Sequence, residues 1–156
     1  MIKIEIPGCG AIQIAHLVLD YNGTLAFDGT LLPGVKETLM QLTERLQVHV
    51  ITADTFGLVR ENLIDIPCTL SVLPPDGQTE AKREYVRRLG AAAVAAIGNG
   101  RNDRLMLQEA ALGIAVIQRE GAAVETLLAA RVVCPDIVHA LELLLFPLRL
   151  KATLRA

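Results

Sequence analysis

With 156 residues, 52% of them hydrophobic and 21% charged, the chain is sized for one compact domain with a substantial apolar core. A formal charge of -2, without any block of like charge, gives no basic track for nucleic acid, and 3% aromatics with no tryptophan leave few stacking platforms. Three widely spaced cysteines, Cys9, Cys68 and Cys134, form no CxxC pair, which argues against a disulfide framework or zinc site and favours a reducing cytoplasm.

The chain opens on MIKIEIPGCG, whose alternating apolar and charged residues read as a strand and not as a signal peptide. IKIEI and AIQIAHLVL, joined by Pro7-Gly8-Cys9-Gly10, predict an N-terminal hairpin. Short apolar runs then alternate with segments of helical period. The runs are LVL at 17–19, VHVI at 48–51, LSVL at 70–73, AVAAI at 93–97 and GIAV at 113–116. They are too short for helices and continuous enough for strands buried on both faces. Between the first two, PGVKETLMQLTERL puts Pro33 in a first helical turn and Val35, Leu39, Leu42 and Leu46 on one face, a crossover helix. Further helices are expected at 56–64, 79–89, 102–110, 121–129 and 136–146. Thr79 is placed to cap the helix at 79–89, with Ala81, Tyr85 and Leu89 as its buried stripe. The C-terminal FPLRLKATLRA, apolar and basic with no acid, reads equally as a partner-binding arm or a packed terminus. No apolar stretch, LELLLF at 141–146 included, approaches the ~20 residues of a membrane span, so the protein is expected to be soluble. The repetition specifies a doubly wound, mostly parallel α/β sheet in three α/β/α layers, one domain over 1–156 with no linker.

Ligands of such open sheets bind beyond the carboxyl ends of the strands. Asp20 comes after the first run, Thr52 and Asp54 after the second, and GNGRND at 98–103 after the fourth, while Lys82 lies in the opening turn of the helix after the third. A lysine there opposes the helix macrodipole by ~0.3–1 kcal/mol, a penalty that a bound anion would offset. Asp20, Asp103 and a backbone carbonyl in the 20–22 turn are hard oxygen ligands of the kind magnesium takes, and no Cys or His cluster serves a softer metal. His16, His49 and His139 are isolated along the chain and are read as structural. Asp28 of AFDGT marks a turn, Asp54 either lines the rim or caps a helix, and Arg101 faces solvent by default.

In order and spacing, these segments resemble the haloacid dehalogenase (HAD) superfamily of phosphohydrolases and phosphotransferases. Asp20-Tyr21-Asn22-Gly23-Thr24 stands as the nucleophile loop, Thr52 as the second motif, Lys82 as the third and GNGRNDRLML as the fourth. GNGRND, with a residue other than Asp two beyond the nucleophile, resembles most the phosphorylation domain of P-type ATPases and the small soluble P-type ATPase-like proteins. The resemblance implies a capless, magnesium-dependent phosphatase that forms an aspartyl phosphate on Asp20. It places Thr52 and Lys82, with Tyr21, Gly23, Thr24, Ala53 and Asn102, around the phosphoryl group, and Asp20, the Asn22 carbonyl, Asn99 and Asp103 around Mg2+.

Two residues depart from the family pattern. Most phosphatases of the family carry Asp where Asn22 stands, and an amide cannot protonate a leaving group, which forfeits roughly 10²–10⁴ in rate. P-type ATPases also lack an acid there and keep their phosphoenzyme. Asn99 replaces a usual acid and lowers the charge about the metal. A weakly active or inactive binding or regulatory module is therefore the alternative, and a subunit assisting a transporter rests only on the ATPase analogy. The segments after Thr24 and Thr52 are too short for a cap, so the site is expected to be open to a phosphorylated small molecule or macromolecule, unless a second copy in a homo-oligomer covers it.

Overall fold

The computed structural model describes residues 1–53 and 58–156. Alternation in the first fourteen residues produces an antiparallel hairpin of β1 (Ile2–Ile6) and β2 (Gly10–Ile14), with Ile4 opposite Ile12 and all five isoleucines turned inward. AIQIAHLVL does not continue as one strand. At Ala15 the chain leaves the hairpin: its amide donates to the Ala93 carbonyl and its own carbonyl accepts from Gln47. From His16 onward the chain pairs with other neighbours.

The next strand, β3 (His16–Asp20), leads to a miniature hairpin of β4 (Ala26–Phe27) and β5 (Thr30–Leu31). Its turn is the expected Asp-Gly, with Asp28 at φ 49°. Then come α1 (Val35–Thr43), β6 (Gln47–Thr52), α2 (Leu58–Leu63), β7 (Cys68–Val72), α3 (Gln78–Arg88) and β8 (Val94–Gly98). A 3-10 turn at Arg101–Asp103 runs into α4 (Arg104–Glu109), and β9 (Leu112–Val116), α5 (Val124–Ala129), β10 (Val132–Cys134), α6 (Ile137–Leu145) and α7 (Pro147–Leu154) complete the chain.

Six strands form one sheet in the order β10-β9-β8-β3-β6-β7, every neighbouring pair parallel. One face presents Leu17, Leu19, Val48, Val50, Ile97 and Ile114 to α1 and α6. The other presents Val18, Ile51, Ala96 and Ala115 to α3 and α4, which contribute Val86, Met106 and Leu107. Each fully buried Leu, Ile or Val is worth ~1.5–3 kcal/mol, so this double-sided burial fixes the layer order. From β3 the chain winds outward to β6 and β7, then returns across β3 to place β8 on its other side. The topological switch therefore lies between the carboxyl ends of β3 and β8, after Asp20 and Gly98.

Several expectations need correction. Gly77, not Thr79, caps α3, and the buried residues of α3 are Lys82 and Val86, with Tyr85 and Leu89 only half-buried. Its inward face is centred on the ion-pairing lysine and not on the apolar stripe. The helix expected at 121–129 starts at Val124, and that at 102–110 begins as the 3-10 turn. The short strand β10 and the helix α7 were not expected. Leu150 of α7 is fully buried and the helix packs on β1, which favours the packed-terminus reading of the C-terminal segment. Asp54 lies outside the described residues. Among those described, the segments after Thr24 and Thr52 hold only β4, β5, α2 and β7 before Lys82 apart from the crossover elements, and no helix is long and apolar enough to cross a membrane.

Candidate active site

Asp20 is the last residue of β3, where strand alternation turns its side chain to the α3 side of the sheet. Lys82, on the first turns of α3, extends under the strand ends and donates to Asp20 Oδ1 and to Asp103 Oδ1, each at 2.6 Å. The lysine side chain is 1% exposed and that of Asp103 0%, so one ammonium bridges two carboxylates out of water. Such an arrangement persists only because each charge is paired and hydrogen-bonded.

Asp103 Oδ2 accepts from the backbone amides of Asn99 (3.0 Å) and Gly100 (2.9 Å), which folds the GNGRND loop around its own carboxylate. Gly98 is required by this close approach: a Cβ there would lie 2.5 Å from Asp103 Cγ. Both oxygens of Asp103 are thus occupied, and it stands behind Lys82 and not on the cleft wall. The sequence reading expects Asp103 as a metal ligand; the geometry gives it the part of positioning Lys82.

Thr24, fully buried, donates to Asp20 Oδ2 (3.2 Å) or Asn99 Oδ1 (3.3 Å), choices that its single hydroxyl proton makes exclusive. Asp20 is thereby held on one oxygen by the lysine and on the other by the threonine. Burial pushes the Asp20 carboxyl up and Asp103 adds to the push, while Lys82 and the Thr24 hydroxyl pull down, leaving it at about 7. Burial by itself would lower Lys82; the attraction of Asp20 and Asp103 overrides it and holds the ammonium above its ordinary range.

The cleft around Asp20, about 490 Å3, is walled by Asn22, Thr52, Ala53, Lys82, Asn99 and Asn102. These are residues the sequence singles out, brought together from the ends of β3, β6 and β8 and the first turns of α3. Three expected roles shift. The Tyr21 side chain, on the opposite face, is fully buried and donates to the Gly29 carbonyl (3.2 Å). Thr24 lies beneath the wall. The amides of Gly23 and Thr24 donate to Ala26 and Tyr21 carbonyls within the turn, so neither is available to a phosphoryl oxygen. Arg101 is exposed and pairs with Glu125 at 3.4 Å.

Two further residues on the wall escaped the sequence reading, Gln78 and Glu120. Gln78 Oε1 accepts from Asn102 (2.7 Å) and so ties the start of α3 to the GNGRND loop. Glu120 lies just beyond β9, the one site-forming strand whose trailing residues the sequence reading passed over. A second cavity of about 320 Å3, mostly apolar, shares Glu120 with the first and has Gly23, Phe27, Leu32, Pro33 and Val138 in its walls.

The residues on the cleft offer oxygen ligands, the Asp20 carboxylate with Asn22 and Asn99. Among the described residues no group of three or more His, Cys, Asp or Glu is placed to hold a metal ion. That set does not fit a zinc- or calcium-type cage, and it does fit magnesium, which takes one or two carboxylates and keeps several waters. The histidines, isolated in sequence, are partly joined in space: His16 and His49 approach to 3.2 Å, and His49 meets the Tyr85 hydroxyl at 3.0 Å under α3. Burial and His16 lower His49. His139 is exposed beside Asp136, the cap of α6.

No family model matches the chain. Two proteins of Methanocaldococcus jannaschii, both described as uncharacterized, are similar to it. MJ0073 is 55% identical over 62 residues, 40% of this chain and 67% of that protein. MJ0072 is 49% identical over 42 residues, 27% of this chain and 96% of that protein. Among solved structures, the 3-deoxy-D-manno-octulosonate 8-phosphate phosphatase of Moraxella catarrhalis, in complex with magnesium, phosphate and KDO, gives a TM-score of 0.71 at 17% identity, over 85% of this chain and 86% of that one. A Legionella pneumophila protein assigned to the HAD superfamily, subfamily III A, gives 0.72 at 19%, over 90% and 86%. The catalytic domain of the CPx-ATPase CopB-B gives 0.56 at 22%, over 73% of this chain and 45% of that one. At these identities the likeness to the solved structures is one of fold.

Proposed function

Since the chain belongs to one family with the M. jannaschii proteins MJ0073 and MJ0072 and has the haloacid dehalogenase fold, we propose that it is a slow, magnesium-dependent phosphomonoester hydrolase acting through an aspartyl phosphate on Asp20. The observation that carries this reading is the Asp20–Lys82–Asp103 ion-pair chain, set at the topological switch with Thr52 and Asn99 on the same cleft. Three strand ends and the start of α3 contribute to it, and no core-packing need explains a buried lysine there.

In the first step an Asp20 oxygen attacks phosphorus in line, and the bond to the leaving oxygen breaks with its electron pair going to that oxygen. In the second, water attacks the phosphorus of the aspartyl phosphate, the bond to Asp20 breaks, and inorganic phosphate leaves. Lys82 and Thr52 line the cleft in which the equatorial oxygens would sit, and Asp103 and Thr24 hold the lysine and the nucleophile in place beforehand. Asp20, the Asn22 carbonyl and the Asn99 amide oxygen would hold Mg2+, which when bound supplies positive charge to the phosphoryl oxygens. Asn22 lies at the cleft but has no proton to give, so the leaving oxygen draws one from water and turnover is slow.

The open cleft would accept a phosphorylated small molecule or a macromolecule, with a second copy of the chain as a candidate cover. The free thiols of Cys9, Cys68 and Cys134 suit a reducing cytoplasm. The amides at Asn22 and Asn99 favour one rival, a module that binds phosphate esters without turning them over. Phosphate release from a panel of phosphomonoesters with Mg2+ separates the two. Release by the wild type that is lost in Asp20→Asn supports the hydrolase, and binding without release by either protein supports the rival.

A further inference from the structure

Position 99 lacks the acid that would help hold a cation, yet the cleft wall carries another carboxylate, Glu120. Its side chain is at the surface, but its backbone is fastened on both sides to the reaction centre. Gln118 Nε2 donates to the carbonyls of Gly23 (3.0 Å) and Thr24 (2.9 Å) in the nucleophile loop, and Gln118 Oε1 accepts from the Ile137 amide (2.9 Å). The Gly121 amide closes the turn onto the Gln118 carbonyl (2.9 Å), and the Gly121 carbonyl accepts from Asn99 Nδ2 (3.0 Å). A surface turn with no function at the cleft has no need of such a double attachment to the nucleophile loop and to Asn99.

The attachment brings Glu120 over Gly23. This glycine, at φ 79°, cannot be replaced without collision: its Cβ would lie 2.6 Å from Glu120 Oε2 and 2.7 and 2.9 Å from Asn99 Nδ2 and Oδ1. The carboxylate and the amide therefore converge on one small space beside the turn. Among the described residues no hydrogen bond or ion pair claims the Glu120 carboxylate, and the adjacent Arg119 guanidinium lies over the Phe27 ring, 4.9 Å from its centroid. Lys82 cancels one of the two charges of Asp20 and Asp103, so a divalent cation would meet one net negative charge without Glu120 and two with it.

We propose that Glu120 supplies to the magnesium ion the carboxylate that position 99 lacks, binding it directly or through one of its retained waters. The proposal rests on the metal-dependent reading of the site. Calorimetric titration of Mg2+ alone, without substrate, into the wild type, Glu120→Gln, Glu120→Gln with Asn99→Asp, and Asp20→Asn tests it. Glu120→Gln should weaken Mg2+ binding by about tenfold or more, and adding Asn99→Asp should restore most of the loss. Glu120 is exposed, so thermal unfolding of the metal-free Glu120→Gln variant should match the wild type and exclude misfolding as the cause. Affinity unchanged in Glu120→Gln, with binding lost in Asp20→Asn, overturns the role of Glu120 and leaves the phosphatase reading standing. A wild type that binds no Mg2+ overturns both.

Discussion

Replacing Lys82 by methionine keeps the length of the side chain and removes its charge, leaving two carboxylates that the ammonium now separates. Each acidic oxygen is 2.6 Å from Nζ, so in the variant the acids would face one another across roughly 5 Å, a repulsion of about 3 kcal/mol at an effective dielectric of ~20. Breaking a buried pair by deleting one partner costs a comparable ~3–5 kcal/mol. One acid can escape the penalty by keeping a proton, and Asp20 is already raised to about 7 with the lysine present. In the variant the native state therefore binds more protons than the unfolded chain between the ordinary aspartate range and a still higher folded pKa. Wild-type Asp20 itself protonates at about 7, so the stability deficit should be largest above the variant's higher folded pKa, shrink as pH falls from there to about 7, and hold steady below. Urea unfolding of wild type and Lys82→Met in metal-free buffer, at about pH 8 and about pH 5, reads both effects. Lys36→Met is the control, because its pair with Asp65 is exposed on both sides and worth ~0–1 kcal/mol. A Lys82→Met deficit as small as that of Lys36→Met, or one that does not diminish in acid, would mean that the lysine does not hold the two acids together.

Asn22→Asp restores a proton carrier at the cleft and should raise the rate of phosphate release at least tenfold, toward the ~10²–10⁴ that general acid-base help supplies; an unchanged rate in a folded variant places the limit elsewhere. Gly98→Ala would set a Cβ 2.5 Å from Asp103 Cγ and push that carboxylate off Lys82, lowering stability by ~1–3 kcal/mol and phosphate release with it. Thermal unfolding beside a phosphate assay checks this, and a variant indistinguishable from wild type contradicts it. Because Asp20 titrates at about 7, Mg2+ must displace its proton in acid, so apparent Mg2+ affinity should fall by up to about tenfold per pH unit below that value and level off above it. A flat affinity from about pH 5.5 to about pH 8 would show that Asp20 is not the ligand.

The sheet was legible because its strands are buried on both faces. LVL, VHVI, AVAAI and GIAV could be nothing but strands at their length, and each became one, all parallel. RVVC at the edge was too short to stand out, yet Val132 to Cys134 extend the sheet as β10. On α3 the apolar spacing points to Ala81, Tyr85 and Leu89, whereas the long stem of Lys82 occupies the buried stripe with Val86 and carries its charge to the rim. Asp20, Thr52 and Asn99 were readable from the polar residues that close each apolar run, and Lys82 from the helix start at the same edge. The residues that close GIAV are Ile117, Gln118, Arg119 and Glu120, so the signal for Gln118 and Glu120 was present too. What the chain order hides is partnership: whether Asp103 faces a ligand or the lysine behind it depends on a loop closing through the Asn99 and Gly100 amides.

Phosphorylation of Asp20 is the step on which the proposed hydrolysis stands or falls. It is read by mixing wild type and Asp20→Asn, each, with acetyl phosphate and Mg2+, quenching in acid and dividing the sample into halves with and without hydroxylamine. The wild type should carry an acid-stable, hydroxylamine-labile phosphate on Asp20, absent from Asp20→Asn and absent when Mg2+ is chelated. No adduct on Asp20 at saturating donor, or an adduct of equal yield in Asp20→Asn, would exclude the aspartyl-phosphate route.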